Sequence, residues 1–278
     1  MEFHTYRLPN GIRGIHRQVK GAVAHCALVV DAGSRDEHPG EYGLAHFTEH
    51  AFFKGTQRRR AWQVNCRLEN LGGELNAFTT KEDTTIHATT LRSDFPKAAE
   101  LIADVAFHST FPERELARER EVIADEINTY KDSPADMIYD TFEDMLFAGS
   151  ELGHNILGRK AALARYDGDA IRRFTARTHT TDRMVFASIG NFTARTAEAV
   201  ARRAARLCPY GPRGVGALPQ AALQAYPPDA LHPRLPCLRH RRRAAPASLA
   251  CGEHPRRPER QLAAQYRCPR ETRPLVQH

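Results

Sequence analysis

The chain opens with short runs in which hydrophobic and polar residues alternate, and these runs are separated by glycine, proline or asparagine. Alternation with a period of two is typical of strands that bury one face. Pro9, Asn10 and Gly11 separate the first two runs and favour a hairpin, because asparagine and glycine tolerate positive φ. The pattern predicts strands at residues 2–8, 12–19, 22–31, 74–80, 84–91 and 183–190.

Longer segments repeat their hydrophobic residues every three or four positions, which predicts amphipathic helices. Gly55 follows one such segment at the place where a glycine caps a helix end, and Ser133-Pro134 is suited to start another helix. The pattern predicts helices at residues 44–54, 62–70, 95–107, 113–130 and 194–206, with a further helix from residue 134. Because strands and helices are grouped rather than strictly alternating, we expect an α+β fold, an antiparallel sheet with helices packed on one face.

The composition changes near residue 206. Twelve of the seventeen prolines follow it, together with twelve arginines, no lysine and only four acidic residues. We therefore expect a folded domain at residues 1–206 and a tail rich in Pro, Arg and Ala at residues 207–278. Two interpretations of the tail stay open, a disordered arm or a segment translated out of frame. We favour the second, because disordered segments are usually rich in Ser, Glu, Lys and Gln.

The net charge of +7 is typical of proteins that bind nucleic acid, but here the positive charge lies in the tail. That tail lacks the lysines and interleaved aromatic residues of a base-stacking surface, so we expect no nucleic-acid partner. No signal peptide is evident, and no run approaches the roughly 20 apolar residues that cross a bilayer. We expect a soluble, cytoplasmic protein with no membrane partner.

The pattern H-x-x-E-H, formed by His46, Glu49 and His50, lies within one of the predicted helices. Residues at i and i+4 share a helical face, so the two imidazoles can bind one metal ion. Catalytic zinc accepts imidazole and carboxylate ligands and keeps one position for water, whose pKa falls to about 7. Glu49 would then accept a proton from that water. A surface histidine pair beside an acid would give the same pattern, so a third ligand is required.

Helix 113–130 offers candidates for that third ligand. It carries an apolar stripe, with Glu119 and Glu126 at the border of the stripe. Buried carboxylates are costly unless they are paired or bind a metal, so a site there would explain both acids. An exposed, charged helix is the alternative interpretation.

The chain around these residues resembles the inverzincins of the insulinase, pitrilysin and mitochondrial-processing-peptidase family, M16. The resembling segments are residues 33–37, 43–56, 72–79, 84–85, 119–126, 153–158 and 190–192. Glu126 follows His50 by 76 residues, as in that family. The resemblance implies that His46, His50 and Glu126 bind one zinc ion per chain. It also implies that Glu49 is the general base and that Glu119 is an acid that supports the site.

The resemblance further implies a substrate-binding strand that contains Asn76, Ala77 and Thr79. Such an edge strand would bind a peptide or an unfolded polypeptide as an added β-strand. An ordinary hairpin edge is the alternative.

Members of the family close two similar halves around the substrate, and each half contains two related domains. We therefore expect a second M16-like half or a homo-oligomer as partner. We expect residues 207–278 to supply no second domain of this type. The resulting hypothesis is a zinc-dependent metalloendopeptidase that is truncated and weak or inactive alone. The alternative is a non-catalytic M16-like subunit that binds partners.

Overall fold

The structure, a computed structural model, describes residues 2–208. The predicted tail lies outside the described residues from position 209 onward. The strands of the described part are β1 (His4–Arg7), β2 (Arg13–Gln18), β3 (Val23–Val30), β4 (Glu74–Thr79), β5 (Thr84–Leu91) and β6 (Met184–Gly190). Its helices are α1 (Leu44–Phe52), α2 (Ala61–Glu69), α3 (Phe95–His108), α4 (Glu113–Lys131), α5 (Pro134–Leu146), α6 (Lys160–Leu163), α7 (Gly168–Thr178) and α8 (Ala194–Ala205).

The six strands of this part of the chain form one sheet in the order β1-β2-β6-β3-β5-β4. The predicted hairpin is present, because β1 pairs with β2, and β4 and β5 form a second hairpin; both pairs are antiparallel. Gly11 has a φ of 97° in the first hairpin turn, as the sequence predicted. The α+β fold is thus confirmed.

One pair departs from the expected antiparallel sheet. Strands β2 and β6 are parallel, while β6 is antiparallel to β3 on its other side. A tight turn would force antiparallel pairing, but all the helices except α8 lie between β2 and β6 in the sequence, so either direction is open to β6. The sheet is therefore mixed.

Helices cover one face of the sheet. Along β3 buried side chains alternate with more exposed ones, so that Ala24, Cys26 and Leu28 point to the same interior face. Helix α3 packs across β3 and β5, α8 packs on β2, and α1 and α2 pack on β4. Because one face of the sheet is apolar, the helices pack on that face, as the sequence predicted.

Helix α7 was not predicted. Its signals are a capping residue, Asp167, whose side chain accepts a hydrogen bond from the Ala170 amide, and the buried pair Ile171 and Phe174 one turn apart. The remaining helices begin and end within two residues of the predicted bounds where both bounds were predicted. None of the described helices combines the length and the hydropathy that a membrane span requires.

A half-buried histidine, His179, follows α7. The ring of His179 lies 5.9 Å from that of Phe52 and 6.0 Å from that of Phe174. Its Nδ1 is 2.8 Å from Oγ1 of Thr178, whereas Nε2 is buried without a hydrogen-bond partner among the described residues. Burial, reinforced by the positive charge of Arg183, lowers the pKa of His179 to about 4.

This pKa predicts a loss of stability in acid. The unfolded chain takes up a proton at His179 near pH 6.5, whereas the folded chain does so only near 4, so stability falls as the pH falls between these values. At pH 4.5 the loss from this residue should be roughly 2 kcal/mol. His179→Phe keeps the aromatic contacts but cannot be protonated. Urea denaturation at pH 7 and pH 4.5 should show a smaller loss in the variant, and equal losses would contradict the assignment.

Candidate metal centre

Three predicted ligands converge at one point. Nε2 of His46 and Nε2 of His50 lie 3.6 and 3.7 Å from Oε2 of Glu126, and the three ligand atoms are all within 4.8 Å of one another. Ligand atoms around a tetrahedral zinc ion are about 3.3 Å apart, because zinc bonds to nitrogen or oxygen are about 2.0–2.1 Å long. The donors and their spacing therefore fit a zinc ion.

Two packed helices bring these ligands together. The histidines lie one turn apart on α1, and Glu126 comes from α4, which packs against it. Every residue of α1 is buried, whereas the side chain of Glu126 is 39% exposed. The candidate centre is thus buried on the α1 side and open to solvent on the α4 side, where water and a substrate can approach.

Glu119 lies behind His50 rather than beside the other ligands. Its Oε1 is 2.7 Å from Nδ1 of His50, and its Oε2 is 2.6 Å from Nζ of Lys54. Burial favours the neutral acid, but the bonds with His50 and Lys54 outweigh burial and lower the pKa of Glu119. A histidine that ligates a metal commonly donates its other N–H to a carboxylate, which fixes the ring and its tautomer. The contact of Glu119 is of this kind.

The candidate base, Glu49, is also buried on α1. Oγ1 of Thr79, the last residue of β4, donates a hydrogen bond of 2.6 Å to Oε2 of Glu49. The sequence placed Thr79 in the substrate-binding strand, and the structure adds a contact that holds the carboxylate of Glu49. One oxygen is fixed by this bond, which orients the carboxylate.

The carboxylates also act on His50. Burial disfavours a charged imidazole, but the hydrogen bond with Glu119 and the negative charges of Glu49 and Glu126 outweigh burial and raise the pKa of His50. The centre therefore favours positive charge, whether this is a proton or a cation. A metal ion has to displace the proton, so metal binding should weaken in acid.

Asn76 and Ala77 lie on β4, the last strand at one side of the sheet within residues 2–208. Ala77 is buried, and Asn76 is half-buried with its Oδ1 accepting the Ala77 amide at 2.9 Å. Strand β4 packs against α1, so this part of the sheet lies beside the candidate centre. The substrate-binding role of these residues stays a prediction.

Three residues near the candidate centre had no predicted role: Lys54, Glu37 and His154. Lys54 pairs with Glu119, and its signal was its position four residues after His50. A hydrogen bond of 2.9 Å joins Glu37 and His154 at the start of α1. Glu37 and His154 lie within segments that resemble the family, but the sequence around each residue gives no sign that the two side chains are in contact.

The family model and the curated relatives that match this chain indicate the same family. The model described as "Insulinase (Peptidase family M16)" matches residues 15–160. The chain is 37% identical over 190 residues to the "Uncharacterized zinc protease YmxG" of Bacillus subtilis (strain 168), covering 68% of this chain and 46% of that protein. The chain thus spans less than half the length of this curated relative.

Solved structures show the same fold. A protease from Helicobacter pylori superimposes with a TM-score of 0.72 at 22% identity, covering 78% of this chain and 53% of that one. A peptidase M16 inactive domain from Pseudomonas fluorescens gives a TM-score of 0.71 at 19% identity, with the same coverage of both chains. At these identities the likeness establishes the fold alone.

Glu119→Gln should destabilise the protein as well as the candidate centre. The substitution removes the negative charge that Lys54 and His50 contact in the interior, and loss of one partner from a buried pair costs about 3 kcal/mol. Glu121→Gln is the matched control, because Glu121 is exposed on the same helix, and its effect should stay within about 0.5 kcal/mol. Urea denaturation measures both, and equal free energies of unfolding for the two variants would be inconsistent with this pairing.

Proposed function

The chain belongs to the insulinase family of peptidases, M16, and we propose that it is a zinc metalloendopeptidase whose ion is bound by His46, His50 and Glu126. The observation that carries the proposal is the convergence of these three donors from two helices, α1 and α4, beside the carboxylate of Glu49. A curated relative is named a zinc protease, which supports the choice of metal. We propose one zinc ion per chain.

When bound, zinc supplies a Lewis acid that activates water and polarises a peptide carbonyl. Glu49 accepts the proton of the attacking water on its carboxylate and returns it to the leaving amine. Thr79 keeps that carboxylate oriented through its 2.6 Å hydrogen bond. Glu119 holds His50 through Nδ1, so that Nε2 faces the centre.

We propose that the substrate is a peptide or an unfolded polypeptide that pairs with β4. The strand ends at Thr79, whose side chain contacts the proposed base, so a peptide added along β4 would pass close to Glu49. In strand addition, the edge strand forms hydrogen bonds with the main chain of the substrate, so that the peptide bonds of the substrate lie at fixed positions along β4. Asn76 and Ala77 would then form part of the binding strand.

We place the domain boundary at residue 206, because α8 ends at Ala205. The chain covers 46% of its zinc-protease relative, and the solved neighbours are about twice as long as the matched part. Closing a second unit over a site positions the substrate and excludes water. We therefore propose that this chain is weak or inactive alone and pairs with a second M16-like half or with another copy.

A non-catalytic subunit that binds partners is the second candidate. A domain that is described as inactive has the same fold, so the fold is compatible with this candidate. This candidate is opposed by the presence of all the residues that the proposed chemistry requires, which are His46, Glu49, His50 and Glu126. Metal content and hydrolysis together separate the two candidates.

The purified chain should contain about one zinc ion, because three donors converge on one open position. His46→Ala and His50→Ala should each lose most of it, and Glu126→Gln should bind zinc more weakly by roughly 10-fold or more. Glu121→Gln, on the exposed side of α4, is the control and should retain it. Elemental analysis and titration against a chelator measure these values. Full zinc content in both histidine variants would refute the ligand assignment.

Glu49→Gln should abolish hydrolysis while zinc remains bound, because the substitution removes the base and leaves the ligands. The expected decrease in rate is about 10²–10⁴-fold. The assay follows cleavage of a fluorescently labelled unfolded polypeptide by the zinc-loaded chain, with a chelated sample as blank and Glu121→Gln as control. A rate near that of the unmodified chain would exclude Glu49 as the base. Hydrolysis by the unmodified chain above the chelated blank, even at a low rate, would exclude the non-catalytic candidate.

A further inference from the structure

A buried carboxylate lies at the start of helix α1. The Oε1 and Oε2 atoms of Glu37 accept the Gly43 amide at 3.1 and 3.0 Å, and Oε1 accepts the Ala45 amide at 2.7 Å. The first amides of a helix have no acceptor within the helix, and Gly43, at the N-cap position, has no side chain that could supply one. Glu37 therefore caps α1 from outside the helix, and its charge lies at the positive end of the helix dipole.

Glu37 is held in turn by the segment between α5 and α6. Nε2 of His154 lies 2.9 Å from Oε2 of Glu37, and the His154 ring stacks on Tyr42 with centroids 4.1 Å apart. Nζ of Lys81, in the turn between β4 and β5, donates to the carbonyl oxygens of Leu152 and His154 at 3.0 and 2.8 Å. The segment thus links the start of α1 to the hairpin that carries Thr79.

The backbone of this segment also contacts the backbone at the start of α1 directly. A Cβ atom at Gly158 would collide with the carbonyl oxygen of Tyr42, and one at Gly43 would collide with the carbonyl oxygen of Leu157. Both glycines also have positive φ, 96° at Gly43 and 66° at Gly158. The segment and the start of α1 therefore approach too closely at these positions for a side chain, beside the point where His154 contacts Glu37.

We propose that Glu37, held by His154, is a positioning residue for the candidate metal centre. The Ala45 amide that Glu37 accepts directly precedes His46, the first histidine of the motif. A shift of the start of α1 would move His46 away from Glu126 on α4, and a displacement of 1 Å can lower a catalytic rate about 100-fold. This inference rests on the proposed function, because α1 matters in this way only if it carries metal ligands.

The experiment uses cobalt(II) as a probe in the full-length chain, because its visible absorption reports the geometry of the ligands. Glu37→Gln should lower cobalt and zinc affinity about 10- to 100-fold, as for other residues that orient ligands, and should change the cobalt spectrum. His154→Ala should weaken affinity in the same direction, while His154→Gln, which keeps a donor towards Glu37, should restore most of it. Glu41→Gln is the matched control, since Glu41 lies in the same loop and pairs with Arg177 instead.

The outcomes are distinct. If the Glu37 and His154 variants lower the melting temperature but leave cobalt affinity and spectrum unchanged, Glu37 is only a structural cap and the inference is overturned. If Glu37→Gln does not fold, the comparison of His154→Ala with His154→Gln decides, and equal affinities in these two overturn the inference. If the unmodified chain binds neither cobalt nor zinc, the proposed function itself fails, and this inference fails with it.

Discussion

The structure depends on the burial of charged side chains around one short helix. All nine residues of α1 are buried, and three of them, His46, Glu49 and His50, are titratable. An unpaired charge in such a place is strongly destabilising, so each needs a partner from another element. Glu119 from α4 serves His50, and Thr79 from β4 serves Glu49. The packing of α4 and β4 against α1 is therefore also the assembly of the site.

A buried titratable side chain that needs partners, Glu37, also lies at the start of α1. A nine-residue helix is too short to be stable in isolation, so its position is set by packing and by its ends. Glu37 accepts amides at the start of α1; burial raises its pKa, and the hydrogen bonds from His154 and from the Ala45 and Gly43 amides offset part of this increase. The loop before the helix and the segment after α5 are thus coupled through one carboxylate. The candidate ligands are therefore positioned both by contacts at the start of α1 and by the packing of α4 and β4 along it.

Local features of the sequence predicted most of the fold and two of the three candidate ligands. Periodicity placed α1 and α4, and the spacing within H-x-x-E-H placed His46 and His50 on one face of the helix. Glu126 required the family spacing, because periodicity alone left it equal to Glu119 as a candidate. The contacts of Thr79 with Glu49 and of His154 with Glu37 join residues 30 and 117 positions apart, and the register of a hairpin and the path of a loop decide them. No local pattern encodes such contacts, and the parallel pairing of β2 with β6 was missed for the same reason.

The charges around the centre also explain why a cation suits it. The carboxylates of Glu49, Glu119 and Glu126 and the ammonium of Lys54 leave two negative charges when both imidazoles are neutral. In a partly buried site these charges repel one another more strongly than in water, because the effective dielectric constant is lower. A proton on His50 relieves part of this repulsion, which agrees with its raised pKa. A divalent cation would neutralise the two charges completely. Lys54 thus sets the charge of the centre: without its ammonium, one divalent ion would leave a negative charge in the interior beside His50.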